Sequence, residues 1–169
     1  FQQKKIVVEA DRALALLKEE GSSIDFPEVV GQMRDDMQQV VDRLAEVKVG
    51  AITQGIEEDI IATLKELIEA LQQAQKDQQQ RQQDGQPSQG QAGDPGLVDM
   101  IAELKMIRAM QQRINNRTRR YSELLVVDDP QDVIGQATAS ELQDAIVKLG
   151  EREQNCHRIT RDIVLGKNR

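Results

Sequence analysis

The sequence predicts an all-α protein of about five long amphipathic helices that form antiparallel helical hairpins in a bundle. Apolar residues recur at spacings of three and four along most of the 169-residue chain, which places them on one face of a helix. No segment alternates between apolar and polar residues with a period of two, so no strand is expected. Aromatic residues make up only 2% of the chain, so aliphatic side chains must fill a thin helical core.

Three helices are predicted before residue 76. The first covers residues 3–20, the second covers residues 25–50, and the third begins at Thr53 or Gln54. Their apolar residues follow an alternating spacing of three and four, which is the pattern of a helix–helix seam. The predicted interaction seam on the second and third helices consists of Val30, Met33, Met37, Val40, Leu44, Ile60, Leu64, Leu67 and Leu71.

A change of composition divides the chain in two. Gln dominates after the third helix, and Gly, Pro and Ser join it up to residue 96. Such a stretch has little apolar surface to bury, so residues 77–96 are expected to form a flexible linker. The predicted domains are therefore a three-helix unit over 1–76 and a helical hairpin over 97–169.

Two further helices are predicted in the second unit. The fourth begins at Pro95, which suits the first helical turn, and ends near Leu125. The fifth begins after Thr138, which can form a capping box with Glu141, and ends near Leu165, before Gly166. The interaction seam continues here with Leu104, Ile107 and Ile114.

Polar residues interrupt the predicted seam of the fourth helix. Gln111 and Thr118 stand in its apolar positions, where polar residues can fix the register of neighbouring helices. An antiparallel hairpin would bring Gln111 close to Arg152 or Glu153, so these four residues form a predicted polar register layer. The alternatives are a ligand-binding cavity, or a seam that is shifted so that both residues are exposed.

Arg113, Arg117 and Arg120 share one face of the fourth helix. The expected role is a solvated basic face that pairs with acidic residues of a neighbouring helix. A docking site for an acidic partner and a patch for nucleic acid or anionic lipid are the alternatives. The net charge of -7 and the lack of interleaved aromatic residues argue against nucleic acid.

No catalytic, metal or cofactor site is predicted, and no small-molecule substrate is expected. Cys156 and His157 could form a nucleophilic pair, but adjacent residues of a helix do not face each other. One Cys and one His are too few for a structural zinc site. The apolar runs are also too short and too interrupted by charge to cross a membrane, and membrane contact is not evident.

The segments LKMIRAMQQRINNRT at 104–118 and TQGIEEDIIATLKEL at 53–67, with the Gln-rich stretch between them, carry a resemblance. The chain over residues 50–165 resembles uncharacterised, coiled-coil-rich helical proteins of planctomycete type. That resemblance implies an exported or envelope-associated location. It implies no catalytic residue.

The expected function is a structural or protein-interaction module, a helical scaffold that acts through its apolar heptad seams. The expected partner is another protein or a second copy of the chain. The alternative is a helical bundle that binds an apolar ligand or lipid between its helices. That alternative requires a cavity, which the small residues Ala10, Ala13 and Ala145 could leave.

Overall fold

The computed structural model of the chain describes residues 2–20, 25–83, 95–125 and 137–167. These residues form five α-helices and no strand, so the predicted all-α class is confirmed. The helices are α1 (Gln2–Glu20), α2 (Asp25–Ala45), α3 (Ala51–Gln83), α4 (Pro95–Leu125) and α5 (Ala139–Val164).

Three predicted boundaries in the first half differ from the structure. α2 ends at Ala45 rather than at Gly50, and α3 begins at Ala51. α3 also continues to Gln83, past the predicted boundary at residue 76. Gln has a good intrinsic helix propensity, so the helix persists after its apolar residues end. Of the predicted linker, residues 84–94 lie outside the described part of the chain, while 95 and 96 belong to α4.

The turn after α2 satisfies the last carbonyl groups of that helix. The backbone N–H of Lys48 donates to Arg43 O at 2.8 Å, and that of Val47 donates to Leu44 O at 3.1 Å. This is a Schellman motif, in which the residue after the helix cap adopts a left-handed conformation. That residue is Val47, with φ of 60°. The end of α5 has the same pair of bonds around Gly166, the residue that was predicted to follow this helix, with φ of 65°.

Successive helices pack antiparallel. α1 packs on α2, α2 on α3, and α4 on α5. In the last pair, Gln111 lies beside Glu153 and Ile107 beside Cys156, which confirms the predicted hairpin and its register. The predicted capping box is also present, since Thr138 Oγ1 accepts the N–H of Glu141 at 3.2 Å.

Helices from both sides of residues 84–94 share one hydrophobic core. α4 contacts both α2 and α3. Buried residues of all five helices belong to the same apolar cluster, from Val7 and Ala10 on α1 to Ile159 and Ile163 on α5. The two predicted units therefore pack against each other through a common interior.

The face of α4 that enters this core differs from the predicted seam. Met106 is buried on this face. The other buried positions, which follow an alternating spacing of three and four, are Ile107, Met110, Ile114, Arg117 and Tyr121. The buried face of α4 thus includes Met110 instead of Gln111 and Arg117 instead of Thr118. A charged residue, Arg117, therefore lies at a core position and needs partners of opposite charge inside the bundle.

Candidate functional site

Arg117 lies at the centre of an ion network buried between four helices. Its two terminal nitrogens donate to the two carboxylate oxygens of Asp36 on α2, at 2.8 and 2.9 Å. Its Nε and Nη2 donate to Oδ2 of Asp59 on α3, at 2.9 and 2.7 Å. Arg152 on α5 donates to Asp36 Oδ1 at 2.8 Å, and Arg120 donates to Asp59 Oδ2 at 2.8 Å. We call these five residues the ion network.

A glycine provides the space for Arg120. Nη1 of Arg120 lies 2.8 Å from the position that a Cβ atom on Gly55 would take, and the three nearest atoms to that position all belong to Arg120. Gly55 is buried in the second turn of α3. The missing side chain therefore lets the guanidinium pass over α3 to reach Asp59.

The network holds Asp36 and Arg117 in their charged forms. Burial alone would raise the pKa of Asp36, but Arg117 and then Arg152 outweigh this effect and hold that pKa below its ordinary value. Burial opposes the charge of Arg117 too, yet Asp36 and Asp59 raise its pKa. Burial raises the pKa of the neighbouring Tyr121 hydroxyl. The paired charges offset the desolvation that each would suffer alone.

The predicted basic face is divided by the structure. Arg113 forms an ion pair with Glu66 of α3, and Arg120 is half-buried beside Asp59. These pairings with acidic residues of a neighbouring helix are the expected kind. Arg117 is only 5% exposed, however, so the prediction of a solvated face is wrong for it. Its acidic partners are 81 and 58 residues away in sequence, and helical spacing alone contains no signal for them.

The predicted polar layer is present only in part. Gln111 donates to Glu153 Oε1 at 3.1 Å, which is the predicted pair. Both the bond and Gln111 are exposed, so the amide does not interrupt the core, and the shifted seam is the correct alternative for Gln111. Thr118 is half-buried, so that alternative does not hold for it. The hydroxyl of Thr118 donates to Ile114 O of its own helix, and Arg152 reaches Asp36 instead of Gln111.

The predicted interaction seam separates into a buried part and an exposed part. Its buried members are Val30, Met33, Met37, Val40, Leu67, Ile107 and Ile114. Its half-buried members are Leu44 and Ile60. Leu64, Leu71 and Leu104 are exposed, so these three do not belong to the interior of the bundle. The apolar stripe of α3 is too wide for one interface, and its inner edge alone faces α2 and α4.

The outer edge of that stripe forms a continuous apolar surface, which we call the α3 seam. It consists of Ile61, Leu64, Ile68 and Leu71, at successive spacings of three, four and three. Their exposed fractions are 52, 38, 52 and 57%. This is the spacing with which one helix packs against another, on a face that no other described helix covers.

A second surface feature is a groove of about 700 Å³ between α2 and α5. Buried Leu142 and Leu149 line it, together with both acidic and basic side chains. This mixed lining has no single charge sign that would select an anion. Ala145 lines this groove and is half-buried, whereas Ala10 is buried and Ala13 is exposed. A cavity of about 20 Å³ beside Arg117 has room for about one water molecule.

An ion pair between distant elements lies in the lining of this groove. Lys48 Nζ donates to Glu141 Oε1 at 2.7 Å, while Glu141 Oε2 accepts the N–H of Thr138 at 2.6 Å. The bond from Lys48 and then the backbone bond at Thr138 lower the pKa of Glu141 from its ordinary 4.5 to about 2. The α2–α3 turn is thereby fastened to the beginning of α5.

The neighbours Cys156 and His157 point in different directions. Cys156 is buried, with Sγ 3.9 Å from Ile107 O, and burial raises the pKa of its thiol. His157 is exposed. A thiol with a raised pKa is a poor nucleophile at neutral pH, so the geometry gives this pair no catalytic arrangement.

Among the described residues, no group of three or more His, Cys, Asp or Glu side chains could hold a metal ion. No described helix combines the length and the apolar character that crossing a bilayer requires. Comparison of the chain with protein-family models, curated proteins and solved structures finds no match.

Proposed function

We propose that the protein is a helical protein-interaction module and that the α3 seam is its binding surface. The observation that carries this proposal is the exposure of four large aliphatic residues, Ile61, Leu64, Ile68 and Leu71, at heptad spacing on one face of a long helix. Contiguous apolar surface of this kind marks interaction sites on soluble proteins.

Other residues of α3 hold this helix in the bundle. The opposite face of α3 supplies Ile52, Ile56 and Leu67 to the core and Asp59 to the ion network. A helix already fixed on its inner face loses little conformational freedom on binding. Preorganisation of this kind favours association, because less ordering has to accompany it.

The mode of binding follows from the shape of the surface. A single convex helix offers no pocket for a small ligand, but it presents anchors at i, i+3, i+7 and i+10 to an amphipathic helix of a partner. Charged side chains beside the anchors, such as Lys65 and Glu69, set the orientation of the partner helix. We therefore infer that the partner contributes a helix with a complementary apolar stripe.

Photo-crosslinking in cells tests this proposal. A benzophenone amino acid replaces Leu64, which lies in the middle of the seam, and a matched variant carries it at Val147 on α5, an isolated residue that is 63% exposed. We expect a protein adduct of defined mass from position 64 and none of that mass from position 147. A folded variant at position 64 that gives no adduct with any protein would overturn the proposal.

We also infer an exported or envelope-associated location, which rests on the family resemblance of residues 53–67 and 104–118. Fractionation of cells that express the full-length gene product, followed by immunoblotting, tests it. Recovery of all the protein from the cytosol would contradict this location and would leave the binding surface unaffected.

A further inference from the structure

We propose that the α3 seam binds the α3 seam of a second copy of this chain, with the two helices antiparallel. This inference rests on the proposed function, because it names the partner of the same surface. When one copy of the helix is reversed against another, the apolar residues of the seam meet apolar residues. The acidic residues beside the seam then meet basic residues.

The apolar residues are symmetric about position 66. Ile61 and Leu71 lie five residues to either side of it, and Leu64 and Ile68 lie two residues to either side. An antiparallel partner therefore places Ile61 opposite Leu71 of the second copy and Leu64 opposite Ile68 of the second copy. Each apolar side chain meets another apolar side chain, which is the layer structure of a helix–helix seam.

A polar residue follows each end of the α3 seam, at the same distance from position 66. Glu57 and Gln75 lie nine residues before and nine residues after position 66, on the same line of the helix. Both have access to solvent, since Glu57 is half-buried and Gln75 is exposed. In the antiparallel pair they would lie opposite each other and define the two ends of a short interface.

The charges along one edge of the seam are also complementary when the helix is reversed, about position 67, one residue beyond the centre of the apolar residues. Glu58, Lys65, Glu69 and Lys76 lie on this edge, and all four are exposed. Within the described part of the chain, none of them forms an ion pair. A two-fold axis perpendicular to the helices brings this edge against itself. Glu58 then faces Lys76 of the second copy, and Lys65 faces Glu69 of the second copy.

A parallel arrangement lacks this match. It would place the charged edge of one helix against the opposite edge of the other, where half-buried Ile60 and buried Leu67 belong to the core. The antiparallel arrangement instead sets the charged edge of one α3 against the charged edge of the other, so that acidic and basic residues meet. With only four apolar anchors on each chain, the interface is small, so association should be weak and dependent on concentration.

Disulfide trapping tests the direction and register of the pair. All variants carry Cys156→Ala, so that the native thiol does not react. A chain with Leu64→Cys is mixed with a chain with Ile68→Cys under mild oxidation, and a Val147→Cys chain reports random collision. We expect the mixed 64–68 disulfide to form faster than either homodimeric disulfide. Faster formation of the homodimeric disulfides would overturn the antiparallel register.

Two variants test whether the charges of the two copies pair as inferred, one with a reversed charge and one with two charges exchanged. Sedimentation equilibrium over a range of concentrations measures the dissociation constant of the dimer for each. Lys65→Glu places like charges opposite each other at both symmetric positions, and we expect the dissociation constant of the dimer to rise roughly tenfold. The exchange Lys65→Glu with Glu69→Lys restores opposite charges and should return that constant to within about threefold of the parent value. An exchange variant that stays as weak as the single variant would contradict the pairing.

The dimer measurements and the cross-linking at position 64 together show whether self-association alone fails or the interaction module fails as well. A chain that remains monomeric at every concentration, together with a cross-link from position 64 to a different protein, overturns self-association and leaves the interaction module intact. Absence of both a dimer and any cross-link overturns both proposals. Circular dichroism provides the control for folding, because the replaced residues are exposed and should leave the helical content unchanged.

Discussion

Arg117 on α4 and Asp36 on α2 form a two-pronged ion pair inside the bundle, with donor–acceptor distances of 2.8 and 2.9 Å. Their side chains are 6 and 9% exposed. Arg117 stands at a core position of α4 and also bonds to Asp59. The register of three helices is thus tied to one guanidinium group, because a shift of any of them would leave a buried charge without its partner.

Replacing Arg117 with Met should lower the free energy of unfolding by about 3–5 kcal/mol at pH 7, since Asp36 and Asp59 would lose their main counter-charge. Chemical denaturation measures this loss. The control is Arg119→Met on the exposed side of the same helix, which should change stability by no more than about 0.5 kcal/mol. Equal stability of the Arg117 variant and the parent protein would contradict the role given to the network.

The pH dependence of Glu141 provides a second test. Its pKa in the folded protein is about 2, below its ordinary 4.5, so its contribution is complete above about pH 5 and is lost as the pH falls towards 2. Glu141→Gln keeps a side chain that can cap the helix but removes the charge that Lys48 binds. We expect the melting temperature of the parent protein to fall more steeply between pH 5 and 2 than that of the variant.

The matched control for this experiment is Glu151→Gln, an exposed replacement on the same helix. It should leave the slope of the parent protein nearly unchanged. If the Glu141 and Glu151 variants gave the same slope, the bond between Lys48 and Glu141 would contribute nothing to acid sensitivity.

Replacing Val47 with Gly should stabilise the protein. Val47 has a φ of 60°, where a β-branched side chain is strained by about 1–2 kcal/mol. Gly removes that strain but increases the entropy of the unfolded chain, which leaves a net gain of about 1 kcal/mol. Val49→Gly is the control in the same turn, and it should destabilise slightly. A lower midpoint of denaturation for the Val47 variant would show that the left-handed conformation is not strained.

A double-mutant cycle tests the contact of Gly55 with Arg120. In a chain with Arg120→Ala, Gly55→Ala should stabilise by about 1 kcal/mol, because Ala favours the helix. In the parent chain the gain should be smaller, since the new methyl group displaces the guanidinium from Asp59. Gly31→Ala on α2, where nothing lies within 4 Å, should give the same effect in both backgrounds. Equal effects of Gly55→Ala in both would mean that the two residues do not interact.

Helical periodicity was sufficient to predict five helices and the hairpin of α4 and α5. Capping residues such as Thr138 and Gly166 gave the ends of α5 because their effects are local. The predicted end of α2, at residue 50, lies beyond the observed end at Ala45. The reason is that Val47 occupies the left-handed position at which Gly usually marks the end of a helix. A favourable local signal was absent there. The turn is held by the bond from the N–H of Lys48 to Arg43 O and by the bond from the hydroxyl of Thr53 to Lys48 O.

The sequence could not assign the faces of α3 and α4 correctly. On α3 the apolar stripe is wide, and the half that enters the core depends on partners elsewhere in the chain. On α4 a pattern of hydrophobicity places Arg117 outside, because an arginine is seldom buried without paired acidic groups. The pairing that makes its burial possible joins residues from α2, α3 and α5, and a local pattern contains no information about it.

The ion network crosses the division of the chain at residues 84–94. Asp36 and Asp59 come from before that division, while Arg117, Arg120 and Arg152 come from after it. The ion pairs of the network and the shared hydrophobic core should therefore hold the two halves of the chain together even when they are separate polypeptides. Residues 1–83 and 95–169, produced separately, should reassemble as a split protein, and Arg117→Met in the second fragment should prevent their complementation.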